Sequence, residues 1–306
     1  MKKLLYLLLL VSFVSFSQTA EEHRKAQEHL ENGLVKSDLK DYYGAIADFT
    51  KAIKINPNLA RAFYSRANNK SDLKDYYGAI ADYTKAIEIN PNLGVVYYNR
   101  GIAKKDLKDY YGAIADHTKA IEINPNHFAY DNRGSAKYYL KDYYGAIADF
   151  TKAIEINNSN DAMNYYSRAL SKYYLEDYYG AIADHTKAIE INPNLAKAYY
   201  NRGFAKYDLK DYYGAIADCT KAIEINPNYT EAYYDRGYSK YDLKDYNGAI
   251  VDYTKAIEIN PNYAEAYFNR GLAKYYLGDK NGACQDVRKA QQLGYNVKQF
   301  INSGCN

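Results

Sequence analysis

The sequence predicts an all-α chain of stacked helical hairpins, and three observations carry that prediction. The octapeptide DYYGAIAD occurs six times unchanged, from Asp41, Asp75, Asp109, Asp142, Asp177 and Asp211, then twice in altered form, from Asp245 and Asp279. The starts lie 34 residues apart, save one step of 33 and one of 35, and a period of that size marks a repeat array. All six prolines (Pro57, Pro91, Pro125, Pro193, Pro227 and Pro261) fall at one place in the period.

At the N-terminus, Lys2 and Lys3 precede an apolar run from Leu4 to Phe16, followed by small residues. The run is too short to span a bilayer comfortably and fits a secretory signal over residues 1–17, cut after Ser17, with Ser15 and Ser17 as the small residues. An uncleaved anchor is the alternative. The expectation is of an exported chain, in the periplasm or outside the cell, with no transmembrane segment once mature. No cysteine lies near the cut to carry a lipid. The formal net charge of +3 includes both leader lysines, and no basic stripe stands out, so nucleic acid is not an expected partner.

After a lead-in over residues 18–25, the repeats begin. A full unit is well represented by residues 230–263. In its first stretch Ala232, Tyr233, Gly237 and Tyr241 recur at helical spacing, and in its second Ala249, Ile250, Tyr253, Ala256 and Ile257 do so. The aspartate that opens the octapeptide is placed to cap the second helix by accepting from its free amides. Asn-Pro-Asn then ends that helix, because proline lacks the amide needed to continue it.

A 34-residue helix-turn-helix unit with Tyr233, Gly237, Ala249, Ile250, Ala256 and Pro261 in these places resembles the tetratricopeptide repeat family. The resemblance covers eight units over residues 26–293. It implies a right-handed superhelical solenoid, closed by a C-terminal capping helix and tail over residues 294–306. Departures are local: His29 and Asn32 replace the usual aromatic and arginine in the first unit, Asn-Asn-Ser-Asn replaces the fourth stop, and the last unit lacks its proline.

An arginine recurs before the small residue of each unit from the second on, and every unit that has it ends its octapeptide in aspartate. Arg202 with Asp218 and Arg236 with Asp252 are examples. A row of anion-binding arginines is one reading; the favoured one is a structural ion pair between the two helices of a unit, since the guanidinium fork matches a carboxylate.

The resemblance also implies which columns face the concave groove lined by first helices. One holds Leu30, Tyr64, Tyr98, Asp131, Tyr166, Tyr200, Tyr234 and Phe268; the next holds Asn99, Asn132, Asn201 and Asn269 among others; a third holds Tyr138, Tyr173, Tyr207, Tyr241 and Tyr275. The groove should be small or charged at its start and tyrosine-lined from the fourth unit. Tyrosines offer a large apolar face with a hydroxyl at little entropic cost, and asparagines offer donor and acceptor to a peptide backbone. The alternative is that these tyrosines simply pack between neighbouring first helices. The lysine and asparagine pairs with which some relatives clamp a C-terminal carboxylate are missing, so no such clamp is expected. The octapeptide's second tyrosine, Tyr43 and its equivalents, is expected to shield the turn rather than to form an outer contact row.

His117, His185 and Cys219 stand where other units have Phe49, Tyr83, Phe150 and Tyr253, which makes them core substitutions. No Cys/His spacing suits a metal, and no cofactor is implied. In the tail, Val297, Phe300 and Ile301 would share one helix face, and a reversal near Gly294 would bring Cys284 beside Cys305. Export makes a disulfide between them plausible, against two free thiols.

With no phosphate loop and no nucleophile with its base, and with every polar column repeated, catalysis is not expected. The expected function is a non-catalytic scaffold, bacterial by composition, that binds an extended peptide or protein partner in the groove. Glycan or small-ligand binding by the tyrosine-lined half is the alternative. Peptide binding should lean on Asn201 and Asn269, glycan binding on Tyr207 and Tyr241.

Overall fold

A computed structural model of the chain describes residues 2–158 and 160–297, with side chains from residue 20 onward. The chain is all-α, as its periodicity predicts, with sixteen helices and no strand among the described residues. They fall into two compact units. The first holds α1 (Lys2–Asp38), α2 (Tyr42–Ile55), α3 (Ala60–Asp72), α4 (Tyr76–Ile89), α5 (Gly94–Asp106), α6 (Tyr110–Ile123), α7 (His127–Tyr139) and α8 (Tyr143–Ile156). The second holds α9 (Ala162–Tyr173), α10 (Tyr178–Ile191), α11 (Ala196–Asp208), α12 (Tyr212–Ile225), α13 (Thr230–Asp242), α14 (Tyr246–Ile259), α15 (Ala264–Tyr276) and α16 (Lys280–Gln292).

Helix α1 runs unbroken from the expected leader through the lead-in into the first repeat. No helix among the described residues is long and apolar enough to cross a membrane. Within each unit every helix packs on the next in chain order. The first helices of successive hairpins also touch one another, whereas the second helices do not. The first helices therefore form the inner side of each unit.

Local chemistry sets the hairpin. Asp211 accepts from the Gly214 amide at 2.9 Å, and the equivalent bond opens every second helix. A Cβ on Gly214 would sit 2.1 Å from the Asp211 carboxylate, so a larger residue there would displace the capping side chain. At the end of the first helix, Asp211 N–H reaches the Lys206 carbonyl and Lys210 N–H the Tyr207 carbonyl, a Schellman closure that puts Lys210 at φ 63°. Only the eighth hairpin has glycine at this left-handed position, Gly278 at φ 88°. At the stop, Asn226 caps the helix and its side chain accepts from the Asn228 amide across the proline.

The core is built mainly of alanine, with one large residue per hairpin between the helices: Phe49, Tyr83, His117, Phe150, His185, Cys219, Tyr253 or Val287, all buried. Small residues opposite let the helices close, as at Gly237, where an added Cβ would meet the Tyr253 ring at 3.0 Å. Both imidazoles are neutral. Burial holds His117 and His185 down to about 4, and neither Nδ1 finds a partner.

A charged cluster locks each hairpin from the second onward. In the sixth, Arg202 Nε and Nη2 donate to the two oxygens of buried Asp218 at 2.9 and 2.6 Å. Lys206 pairs with the same carboxylate at 2.8 Å. The guanidinium lies over the Tyr199 ring, and its Nη1 donates to Thr186 of the preceding hairpin at 3.0 Å. In the first hairpin, which lacks the arginine, Asp48 is held by Lys36 at 2.5 Å and Lys51 at 3.1 Å.

Past α16, Gly294 turns at φ 94°, and Tyr295–Val297 is not helical; Val297 packs on Val287 and Ala290 as a closing plug. The expected capping helix over residues 294–306 lies mostly outside the described residues. Phe300, Ile301 and Cys305 lie outside the described residues, and with them the expected pairing to Cys284.

Three outcomes follow from this packing. Asp218→Ala should lower unfolding free energy in urea by on the order of 3–5 kcal/mol, because it strands Arg202 and Lys206 together. The histidines bind fewer protons folded than unfolded. Their contribution is therefore complete above pH 6.5 and drains away as the pH falls to about 4, by on the order of 3 kcal/mol per site. A His117→Phe/His185→Phe variant should lose less stability over that window, which acid titration at fixed urea would read. Lys210→Gly should raise the thermal midpoint, relieving up to about 1 kcal/mol of left-handed strain.

Candidate functional site

The inner side of each unit carries columns set by the helical period of its first helices. In the first unit the middle of this face is polar. Tyr83 donates to Asn68 at 2.7 Å and Asn99 donates to Asn68 and to the Tyr64 hydroxyl; Asn68, Tyr83 and Asn99 with Ser71, Asp72 and Ile102 line a shallow cavity of about 330 Å³. Asn132 donates to the Tyr98 hydroxyl and accepts from Lys105 at 2.5 Å. Leu30, expected on this face, is instead buried at 1% exposure, because it is enclosed by Phe49 of α2 and Ala62 of α3.

The second unit is aromatic on the same side. A cavity of about 470 Å³ opens there between α11, α13 and α15, walled by Phe204, Tyr207, Tyr234, Tyr238, Phe268, Leu272 and Tyr295, with Cys219 at its floor and Asp208, Asp235, Ser239 and Asn269 as its polar groups. The rings brace one another. Tyr207 meets Tyr238 at 5.5 Å between centroids, Tyr234 meets Tyr238 at 6.2 Å, and Phe268 meets Tyr295 at 4.9 Å. Among the described residues no cluster of His, Cys, Asp or Glu could hold a metal ion.

The asparagine and tyrosine columns are tied across neighbouring hairpins, about one period apart. Asn201 donates to the Tyr166 hydroxyl at 3.0 Å and Asn269 to the Tyr234 hydroxyl at 2.7 Å. Each asparagine thus spends an amide N–H on the fold, and Asn201 spends a second contact on the Lys197 carbonyl. In the seventh hairpin the column holds Asp235 instead, and the bond reverses: Tyr200 donates to it at 2.7 Å. Tyr173 donates to Asp208, and Tyr207 to Asp242 at 2.5 Å. Burial first, and then the facing carboxylate, push Tyr173, Tyr200 and Tyr207 far above the ordinary phenol range, so these hydroxyls stay protonated and donate. Burial also raises Asp235, to about 6, although the Tyr200 bond opposes the rise.

Of the residues singled out from sequence, Tyr207, Tyr234, Phe268 and Asn269 line this cavity. Tyr173 and Tyr200 brace it through their hydroxyls, which donate to Asp208 and Asp235, whereas Tyr166 and Asn201 bond each other outside its lining. Tyr241 packs against Tyr246 and Tyr276 beside it, and Tyr275 stands 39% exposed. Asn99 and Asn132 belong to the first unit's polar face. Sequence reasoning missed Phe204, Tyr238 and Leu272. They occupy the position just after the small residue, where the first unit has Asn68, Ile102 and Ser135, and that contrast was readable. Tyr295 was missed because only the chain's reversal at Gly294 brings it to Phe268.

The octapeptide's second tyrosine does not shield the turn. Tyr43, Tyr77, Tyr111, Tyr144, Tyr179 and Tyr213 stand 76–77% exposed, because the N-cap bond puts them on the outer side of the second helix's first turn. His117 and His185 lie in different units and each packs against a tyrosine of its own hairpin, Tyr98 and Tyr166.

Family models described as tetratricopeptide repeat match residues 33–59, 60–93, 95–127, 129–160, 196–229 and 264–293, and one described as TPR repeat matches 237–278. No curated protein matches the chain. Among solved structures, MamA is 27% identical over 52% of this chain and 93% of its own, with a TM-score of 0.51. YrrB, described as a TPR protein with an unusual peptide-binding site, is 25% identical over 60% of this chain and 95% of its own, with a TM-score of 0.55. A TPR repeat-containing protein from Cytophaga hutchinsonii shares the fold at 19% identity, covering 78% of this chain and 98% of its own, with a TM-score of 0.68.

Proposed function

The chain belongs to the tetratricopeptide repeat family, and from that premise we propose that it is a non-catalytic scaffold of the cell envelope that holds an extended segment of a protein partner on the inner side of its second unit. The observation that carries this reading is the aromatic cavity of about 470 Å³. Its rings are fixed by mutual packing and by hydroxyl bonds to the next hairpin, so a partner meets a wall already ordered and little entropy is lost on binding. The side-chain carbonyl oxygen of Asn269, in the cavity lining, is of the type that accepts from a backbone amide laid along the face. YrrB's described peptide-binding site is support by likeness. That the polar columns recur as structural bonds supports the non-catalytic reading. The apolar run from Leu4 to Phe16 supports export.

Glycan binding is the weaker alternative, since a sugar needs flat open ring faces. Tyr207 is flanked by Tyr212 and Tyr238, and Tyr241 by Tyr246 and Tyr276.

Chemical cross-linking of the chain in envelope and cytosolic extracts should yield a discrete partner from the envelope only, and Tyr207→Ala/Phe268→Ala should reduce its recovery by on the order of tenfold. Equal recovery by both proteins would sink the assignment of the partner to this face.

A further inference from the structure

The acidic groups of the second unit's cavity have no cation of their own. Asp208 and Asp235 each accept from a tyrosine hydroxyl, Tyr173 and Tyr200. Among the described residues neither forms an ion pair. The nearby basic side chains are committed elsewhere: Arg202 and Lys206 to Asp218, Arg236 and Lys240 to Asp252. The groups that act on Asp235 electrostatically, or on which it acts, are Tyr200, Tyr229, Tyr234, Tyr263, Cys219 and Glu231, all neutral or negative.

Nor does the fold need that charge. Asn201 and Asn269 occupy the same column and make the equivalent bond to the preceding hairpin's tyrosine with an uncharged amide. A carboxylate at this place bears a desolvation cost that asparagine would avoid, which is why burial raises Asp235. An unneutralised carboxylate between aromatic walls suits one class of occupant. A guanidinium or ammonium gains charge-assisted hydrogen bonds from the acids and attraction from the ring faces. A neutral or acidic side chain would desolvate Asp235 further and bring neither carboxylate a counter-charge.

We propose that this cavity receives a basic side chain, lysine or arginine, from the partner segment, so that the scaffold selects partners by a cation set between aromatic residues. The proposal rests on the peptide-binding reading above and adds the chemistry of recognition. Asp235 and Asp208 supply the charge, and Tyr207, Tyr234 and Tyr238 supply the walls.

The test is selection of random linear peptides on the full chain, with Tyr207→Ala/Phe268→Ala as the counter-selection. Enriched peptides should carry a lysine or arginine at a common position, and replacing it by norleucine or citrulline should weaken binding by on the order of tenfold or more. Asp235→Asn should cause a similar loss while raising the thermal midpoint, because it keeps the tyrosine bond and removes the desolvated charge. Asp208→Asn gives a second reading should that variant fold poorly. Binding to the native chain should weaken as pH falls through about 6, where Asp235 gains a proton, and this dependence should flatten in Asp235→Asn. Enriched peptides with no basic residue, or binding indifferent to both substitutions, would overturn the inference and leave the scaffold reading standing. Absence of any enrichment over the counter-selected variant would overturn both.

Discussion

The bidentate arginine–aspartate pair is the interaction on which the rest of each unit depends. It joins the first helix of a hairpin to the second, sixteen residues on. Through Nη1 it also reaches the threonine of the hairpin before. One side chain thereby sets both the closure of its own hairpin and the position of that hairpin on its neighbour. A guanidinium is planar and presents its donors in a fixed fork, so the two helices have one relative placement at which both bonds are straight. Exchange of the ion pair for apolar residues is often neutral in energy. Its contribution lies in geometry, which an alanine-rich interface lacks.

That interface is thin for a reason. Glycine and alanine at the crossing points bring helix axes close, and the space left between the two helices of each hairpin admits one large side chain. The column takes phenylalanine, tyrosine, histidine, cysteine or valine because shape rather than polarity is what the gap demands, and the two histidines stay neutral at the cost of unpaired nitrogens. The inner side of the first helices also varies from hairpin to hairpin. There the first unit is polar and the second aromatic.

The inner side is itself ordered by hydrogen bonds that run from hairpin to hairpin. Where asparagine meets a tyrosine of the preceding hairpin, the amide donates and the column is neutral; where aspartate replaces it, the phenol donates and a charge remains. The two arrangements are close to isosteric, so the choice between them alters the electrostatics of the cavity with little effect on its frame. A surface that can change its ligand preference one residue at a time, without repacking, is well suited to a scaffold.

The sequence by itself determined the helices, their caps and stops, the hairpin as the repeating element, and the pairing of arginine with aspartate. Each of these is local or recurs at a constant spacing, and a repeated pattern multiplies a weak signal. The threonine and lysine partners of that pair were equally regular but have no intrinsic preference that marks them as such. Tertiary structure alone decided which tyrosines stand in solvent and which brace a wall, because Tyr213 and Tyr212 are neighbours in sequence and differ only in the side of the helix they occupy. It also decided that Phe204, Tyr238 and Tyr295 meet in one cavity, and that Asp235 is enclosed there without a cation. Such facts depend on the angle at which one hairpin lies on the next, and that angle comes from side chains meeting across the stack, a relation between distant residues that no local period encodes.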